Sequence, residues 1–153
     1  MKCIGEFLEH EKYNAYGRIA IIENKEAILK VFGFKNRKWL DLWDIDPRVL
    51  TLFYRSYEDE CDWFIVVYDY PSFCMDNDIK EAIIWHEIGH IEHPVPEQQV
   101  SIDSEIHCDH LAIKNGHKEG IRKILNLTLK MAKTLNHEIL TQMTLERQMK
   151  LPG

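Results

Sequence analysis

Apolar positions in the first half of the chain fall into short runs set off by polar turns. Residues 17–22 and 27–34 are rich in Ile, Val and Phe, and around Glu23-Asn24-Lys25-Glu26 they predict a β-hairpin. Residues 38–43 alternate apolar and polar and predict a further strand. Asp46-Pro47 is a good N-cap and first-turn pair, and it predicts a short helix through Val49, Leu50, Phe53 and Tyr54. After the polar Glu58-Asp59-Glu60 turn, Trp63-Phe64-Ile65-Val66-Val67-Tyr68 is the strongest strand signal in the chain.

The second half reads as helices. Residues 79–91 are apolar on nearly every side, with Ile79, Ala82 and Ile83 on one flank and Ile84, Ile88 and Ile91 opposite, the pattern of a buried helix. Asp78 followed by Glu81 reads as a capping box at its start, and Pro94 and Pro96 close it. Ser101 caps the next helix and Gly116 suits its C′ position. Ile121, Ile124, Leu125, Ala132, Leu135, Ile139 and Met143 mark a long amphipathic region with a break at Asn136, while Leu127, Leu129, Leu140 and Leu145 lie partly off that face as core cover. This order predicts an α+β architecture. A small, mostly antiparallel sheet packs on helix 79–91, with further helices C-terminal to it, in a single domain over 1–153 without repeat or linker.

Composition narrows the class. A chain of 153 residues with 45% hydrophobic and 29% charged residues is long enough for one core without staples. Cys3, Cys61, Cys74 and Cys108 form no CxxC pair, so they read as reduced thiols in a cytoplasmic protein. No run is long enough to span a bilayer, and the opening Met1-Lys2-Cys3-Ile4-Gly5-Glu6-Phe7 lacks the apolar core of a signal peptide. A net charge of -6 argues against nucleic acid as the main ligand, and composition says nothing of oligomeric state.

The chemistry concentrates in His86-Glu87-Ile88-Gly89-His90, the HExxH pattern. On a helix the two imidazoles lie one turn apart on one face, spaced so that both can turn a nitrogen onto one metal ion. Glu87 lies about 100° around the helix, beside the ion and able to reach a water without being a ligand. Two unpartnered histidines in a buried helix are costly, and metal ligation removes that cost. Zinc at a catalytic site needs a third protein ligand, and Glu105 is the candidate. Glu105, Asp109, Ala112 and Gly116 recur at i, i+4, i+7 and i+11 on one helical stripe, two carboxylates and then small residues that permit close helix approach. This assigns Glu105 as ligand and Asp109 as the acceptor that orients a ligand imidazole.

Together, His86, Glu87, His90, Glu105, Asp109, Ala112 and Gly116 resemble the gluzincin metallopeptidases, in which HExxH is followed on a later helix by E-x-x-x-D-x-x-A-x-x-x-G. The resemblance spans residues 79–116. It extends to small intracellular members, the stand-alone minimal gluzincins and the ImmA/IrrE-type peptidases of phages and mobile elements that cleave repressors. It implies a zincin-like fold, one Zn2+, Glu87 as general base, a peptide or protein substrate, and an edge strand that binds the substrate backbone.

Rival ligands are weighed against this set. His93 lies two turns beyond His86, about 10.5 Å along a continuous helix, too far to share its ion. A metzincin would carry Gly at position 93 and His at position 96, where this chain has His93 and Pro96. His107 and His110 point away from the Glu105 stripe, and Cys108 reads as a small buried thiol. The oxyanion donor stays open among Tyr13, Tyr16, Tyr54, Tyr57, His117, His137 and Arg147. Besides peptide hydrolysis, two other functions are compatible with the sequence. One is a zinc-stabilised, non-catalytic regulatory or binding module, favoured by a closed fourth position from Cys108 or His93; the other is a metal-free helical interaction protein.

Overall fold

A computed structural model of the protein describes residues 3–13, 17–57, 60–94 and 101–153. The Glu58-Asp59 part of the expected turn, Tyr16 and Pro96 lie outside these residues. The architecture is α+β, and the chain divides into two compact units, Met1–Met75 and Asp76–Gly153.

The first unit holds the sheet. Strand β1 (Cys3–Phe7) is followed by a short helix α1 (His10–Tyr13), β2 (Ile19–Glu23), α2 (Lys25–Phe32), α3 (Arg37–Leu42), a 3-10 turn Pro47–Val49, β3 (Leu52–Arg55), β4 (Trp63–Val67) and α4 (Tyr70–Met75). The strand order is β1-β2-β4-β3, with β2 and β4 parallel and both outer pairs antiparallel. Ile19 to Ile22 and Phe64 to Val67 are all buried, as central strands require, whereas Ile4 and Phe7 on β1 and Tyr54 on β3 are exposed at the edges.

Three sequence expectations fail here, each for a local reason. Residues 27–34 are not the second arm of a hairpin but belong to α2 and its cap. Asn24 accepts a hydrogen bond from the Ala27 amide, Gly33 ends the helix at φ 80°, and the apolar Ala27, Ile28, Val31 and Phe32 fit a helical period as well as a strand. Residues 38–43 form α3, capped by Asn36 on the Lys38 amide, where Trp39 and Trp43 meet edge to face at 5.2 Å as i, i+4 neighbours. The turn opened by Asp46 and Pro47 stops at Val49, and Phe53 and Tyr54 belong to β3. Strand β1 has no counterpart in the sequence reading, because a register shift between Ile4 and Glu6 breaks its alternation. The four cysteines are unbridged, and no helix among the described residues is long and apolar enough to cross a membrane.

The second unit is helical: α5 (Asn77–Glu92), α6 (Ile102–Lys114), α7 (Lys118–Thr134) and α8 (Glu138–Met149). The buried helix 79–91 begins two residues earlier than its capping-box reading, since Asp76 accepts from the Ile79 amide and Asp78 already sits in the first turn. Lys123 of α7 bonds both carboxylates, at 3.2 and 3.0 Å. Ser101 caps α6 as expected, and Gly116, at φ 92°, follows its end. The break at Asn136 is real: its φ of 53° turns the chain between α7 and α8.

Ala82, Ala112, Ile121 and Leu125 form a core cluster of α5, α6 and α7, with Trp85, Ile113, Ile124 and Leu151 against it. Gly120 makes the α5–α7 contact possible. A methyl there would overlap the Asp78 carbonyl oxygen and stand 2.6 Å from Ala82 Cβ. Gly120→Ala is therefore expected to destabilise the protein by about 1–3 kcal/mol despite its better helix propensity, read as a lowered urea midpoint. An unchanged or raised midpoint would show that α7 shifts freely along α5.

Candidate metal centre

Helices α5 and α6 meet at Gly89. A methyl on its Cα would stand 2.8 Å from Cys108 Sγ and 2.9 Å from Cys108 Cα, so only glycine allows this separation. Cys108 is fully buried at the contact. His86 and His90 flank Gly89 on α5, and Glu105 lies three residues before Cys108 on the same face of α6, so the close approach brings the three side chains together.

Glu105 Oε2 stands 2.9 Å from His90 Nε2 and 3.3 Å from His86 Nε2, and the two rings lie 5.1 Å apart at 76°. His86 Nδ1 meets Asp109 Oδ1 at 2.8 Å. Asp109 is 2% exposed, and Arg147 of α8 grips it from behind, donating Nε to Oδ2 at 2.8 Å and Nη2 to Oδ1 at 2.7 Å. An ionised carboxylate only accepts, so this network assigns the proton of a neutral His86 to Nδ1 and leaves a lone pair on Nε2.

That assignment gives the cluster a set of donors that could hold a cation. Glu105 Oε2 is buried with no N–H aimed at it in hydrogen-bond geometry, although two imidazole nitrogens surround it. Three electron-pair donors pointing at one another repel unless a positive charge lies among them. Atoms bound about 2.0–2.1 Å from one tetrahedral ion stand roughly 3.3–3.4 Å apart, close to the spacing of Glu105 Oε2 from His86 and slightly wider than its spacing from His90. The residues present therefore fit a divalent metal ion. Cys108 contributes the fourth member of the group, its Sγ within 4.8 Å of the other ligand atoms.

Proton affinities report the same preference for positive charge. Burial would lower the His86 imidazole, but the carboxylates of Asp109 and Glu105 outweigh it and push it up to about 9. Burial opposes ionisation of Glu105 and Asp109 too. The imidazoles of His86 and His90 hold Glu105 well below the usual carboxylate range, and Arg147 and His86 do the same for Asp109. Glu87 behaves oppositely. Burial pushes its carboxyl up against the pull of His86 and His90, and its side chain takes part in no hydrogen bond with another described residue. Burial and the neighbouring carboxylates Glu105 and Glu87 raise the Cys108 thiol, keeping it protonated.

The five residues singled out from the sequence thus lie together in one unit, with Glu105 against both imidazoles and Asp109 behind one of them. His93 stands apart from this group: it caps the end of α5 through its N–H to the Gly89 carbonyl, and its ring packs on His107 at 3.7 Å. His110 Nε2 lies 3.2 Å from the Lys150 carbonyl, and His137 caps α8 by accepting from the Leu140 amide. The residue whose role sequence reasoning missed is Arg147. It stood among the oxyanion candidates, but it is committed to Asp109, thirty-eight positions away. The only available signal was a lone cation on a later helix, which spacing does not pair with anything.

The chain matches no protein-family model, no curated protein and no solved structure. The site is therefore argued from its own geometry. Gly89→Ala is expected to part α5 from α6 and weaken metal binding at least as much as Asp109→Asn, about 10–100-fold, in zinc titrations against a competing chelator. Wild-type affinity in Gly89→Ala would mean that helix spacing does not position Glu105.

Proposed function

We propose that this chain is a zinc-dependent metallopeptidase of the gluzincin type, acting on a peptide or protein substrate in the cytoplasm, with cleavage of a regulatory protein as its task. The observation that carries the reading is the placement of Glu105 Oε2 within 3.3 Å of both His86 Nε2 and His90 Nε2, beside a half-buried Glu87 carboxyl raised by desolvation and without a hydrogen-bond partner among the described residues. The HExxH and E-x-x-x-D spacings support it independently. His86, His90 and Glu105 would hold the ion. When bound there, zinc supplies Lewis-acid chemistry, polarising a carbonyl and bringing the pKa of water from 15.7 towards about 7.

The chain's own groups do the rest. Glu87 accepts a proton from water as its oxygen attacks the carbonyl carbon, and passes that proton to the amine nitrogen as the C–N bond breaks. A carboxyl raised by burial suits both halves of this transfer, because it is a stronger base toward the water and, once protonated, still far more acidic than the ammonium group formed when the amine takes its proton. Asp109 keeps His86 in the tautomer that presents Nε2, and Arg147 keeps Asp109 ionised.

Glu87→Gln is expected to keep its zinc and fold while losing about 100- to 10,000-fold in hydrolysis. New N-termini in a denatured protein library, read by mass spectrometry, measure the activity, and metal analysis measures the zinc. Zinc loss in this variant would make Glu87 a ligand. A zinc-loaded wild type that generates no new termini would sink the peptidase reading.

The position of Cys108 favours a second reading, a non-catalytic module in which zinc closes its fourth position on Sγ. The protonated, fully buried thiol packed on Gly89 supports the open site instead. Cys108→Ala is accordingly expected to retain zinc, and the cobalt-substituted protein to lack a sulfur-to-cobalt charge-transfer band. A strong band that disappears in Cys108→Ala together with the metal would establish the closed module.

A further inference from the structure

A second group of metal-ligating side chains lies at the end of α5, and it shares no residue with the first. Glu92 is the last residue of α5, His93 its cap, and His107 lies on α6. One ligand atom from each falls within 4.8 Å of the others. His93 Nε2 is 3.9 Å from Glu92 Oε1, and the His93 and His107 rings meet edge to face at 3.7 Å. His107 Nε2 is buried without a hydrogen-bond partner among the described residues.

We propose that Glu92, His93 and His107 form a second, exchangeable site for a divalent transition-metal ion. Two imidazoles and one carboxylate suit Zn2+, Cu2+ or Ni2+, and they lack the oxygen-rich shell that Ca2+ and Mg2+ need. The His93 and Glu92 side chains are 54% and 34% exposed, so an ion here reaches solvent and binds more weakly than one between His86 and His90. Because its ligands come from both helices, it ties the end of α5 to α6 beyond the Gly89 contact. Its occupancy is therefore expected to raise the melting temperature without being needed for hydrolysis.

Calorimetric titration of the metal-free full-length protein with Zn2+ tests this. Two classes of ion are expected. His93→Ala and His107→Ala should each remove the weaker class and spare the tighter one. The double variant His86→Ala/His90→Ala should do the reverse, so failure of this site and failure of the catalytic one are separable. In wild type, the ring resonances of His93 and His107 should move only during the second stage of the titration, a readout that needs no variant to fold. The proposal is overturned by a single class of ion in wild type, by His93→Ala and His107→Ala that keep both classes, or by second-stage shifts confined to other histidines.

Discussion

The separation of α5 and α6 at Gly89 governs everything else in the helical unit. A methyl group at this position would lie within 3.0 Å of three Cys108 atoms, so a side chain as small as alanine would change the spacing. His86 and His90 belong to α5 and Glu105 to α6, and the Gly89 contact, together with the His86–Asp109 bond, is what brings them within hydrogen-bond distance. The small residue in the middle of HExxH is thus an architectural requirement, and the two histidines take their geometry from it. Gly120 does the same for α7, and the two glycines together let α6 and α7 crowd against α5.

Crowding of this kind buries charge, and the unit manages it by pairing. Asp109 is balanced by the two-point grip of Arg147 and by His86, while Glu105 Oε2 lies against two imidazoles without a hydrogen bond from either. Breaking one such buried pair exposes its partner to a full desolvation cost, while the intact set stays close to neutral. Glu87 is the carboxylate left out of this pairing, and its proton affinity rises accordingly. A half-buried acid that no side chain bonds among the described residues, with only the more distant pull of His86 and His90, is the member of the group hardest to explain by folding alone.

How much of this was legible depends on the range of each signal. The gathering of His86, His90, Glu105 and Asp109 was, because i, i+4 spacing on one helix and a second carboxylate stripe on another are local patterns. The break at Asn136 and the Ser101 cap were legible for the same reason. Residues 27–34 and 38–43 were not, since short apolar runs satisfy periods of 2 and 3.6 alike, and the deciding contacts are side-chain caps at Asn24 and Asn36. The parallel pairing of β2 with β4 is a long-range choice that no window over β2 contains. Arg147 illustrates the limit most sharply: a bidentate ion pair across thirty-eight positions leaves no periodic trace.

The place of Arg147 along the chain has a consequence for timing. A ribosome delivers α5 and α6 before α8, so His86, His90 and Glu105 can gather while the carboxylate of Asp109 still has no guanidinium behind it. During that interval Asp109 is free to take up a proton or turn to water, and His86 is free to present either ring nitrogen. Helix α8 therefore acts as a latch: its guanidinium holds the carboxylate that fixes the imidazole in one tautomer.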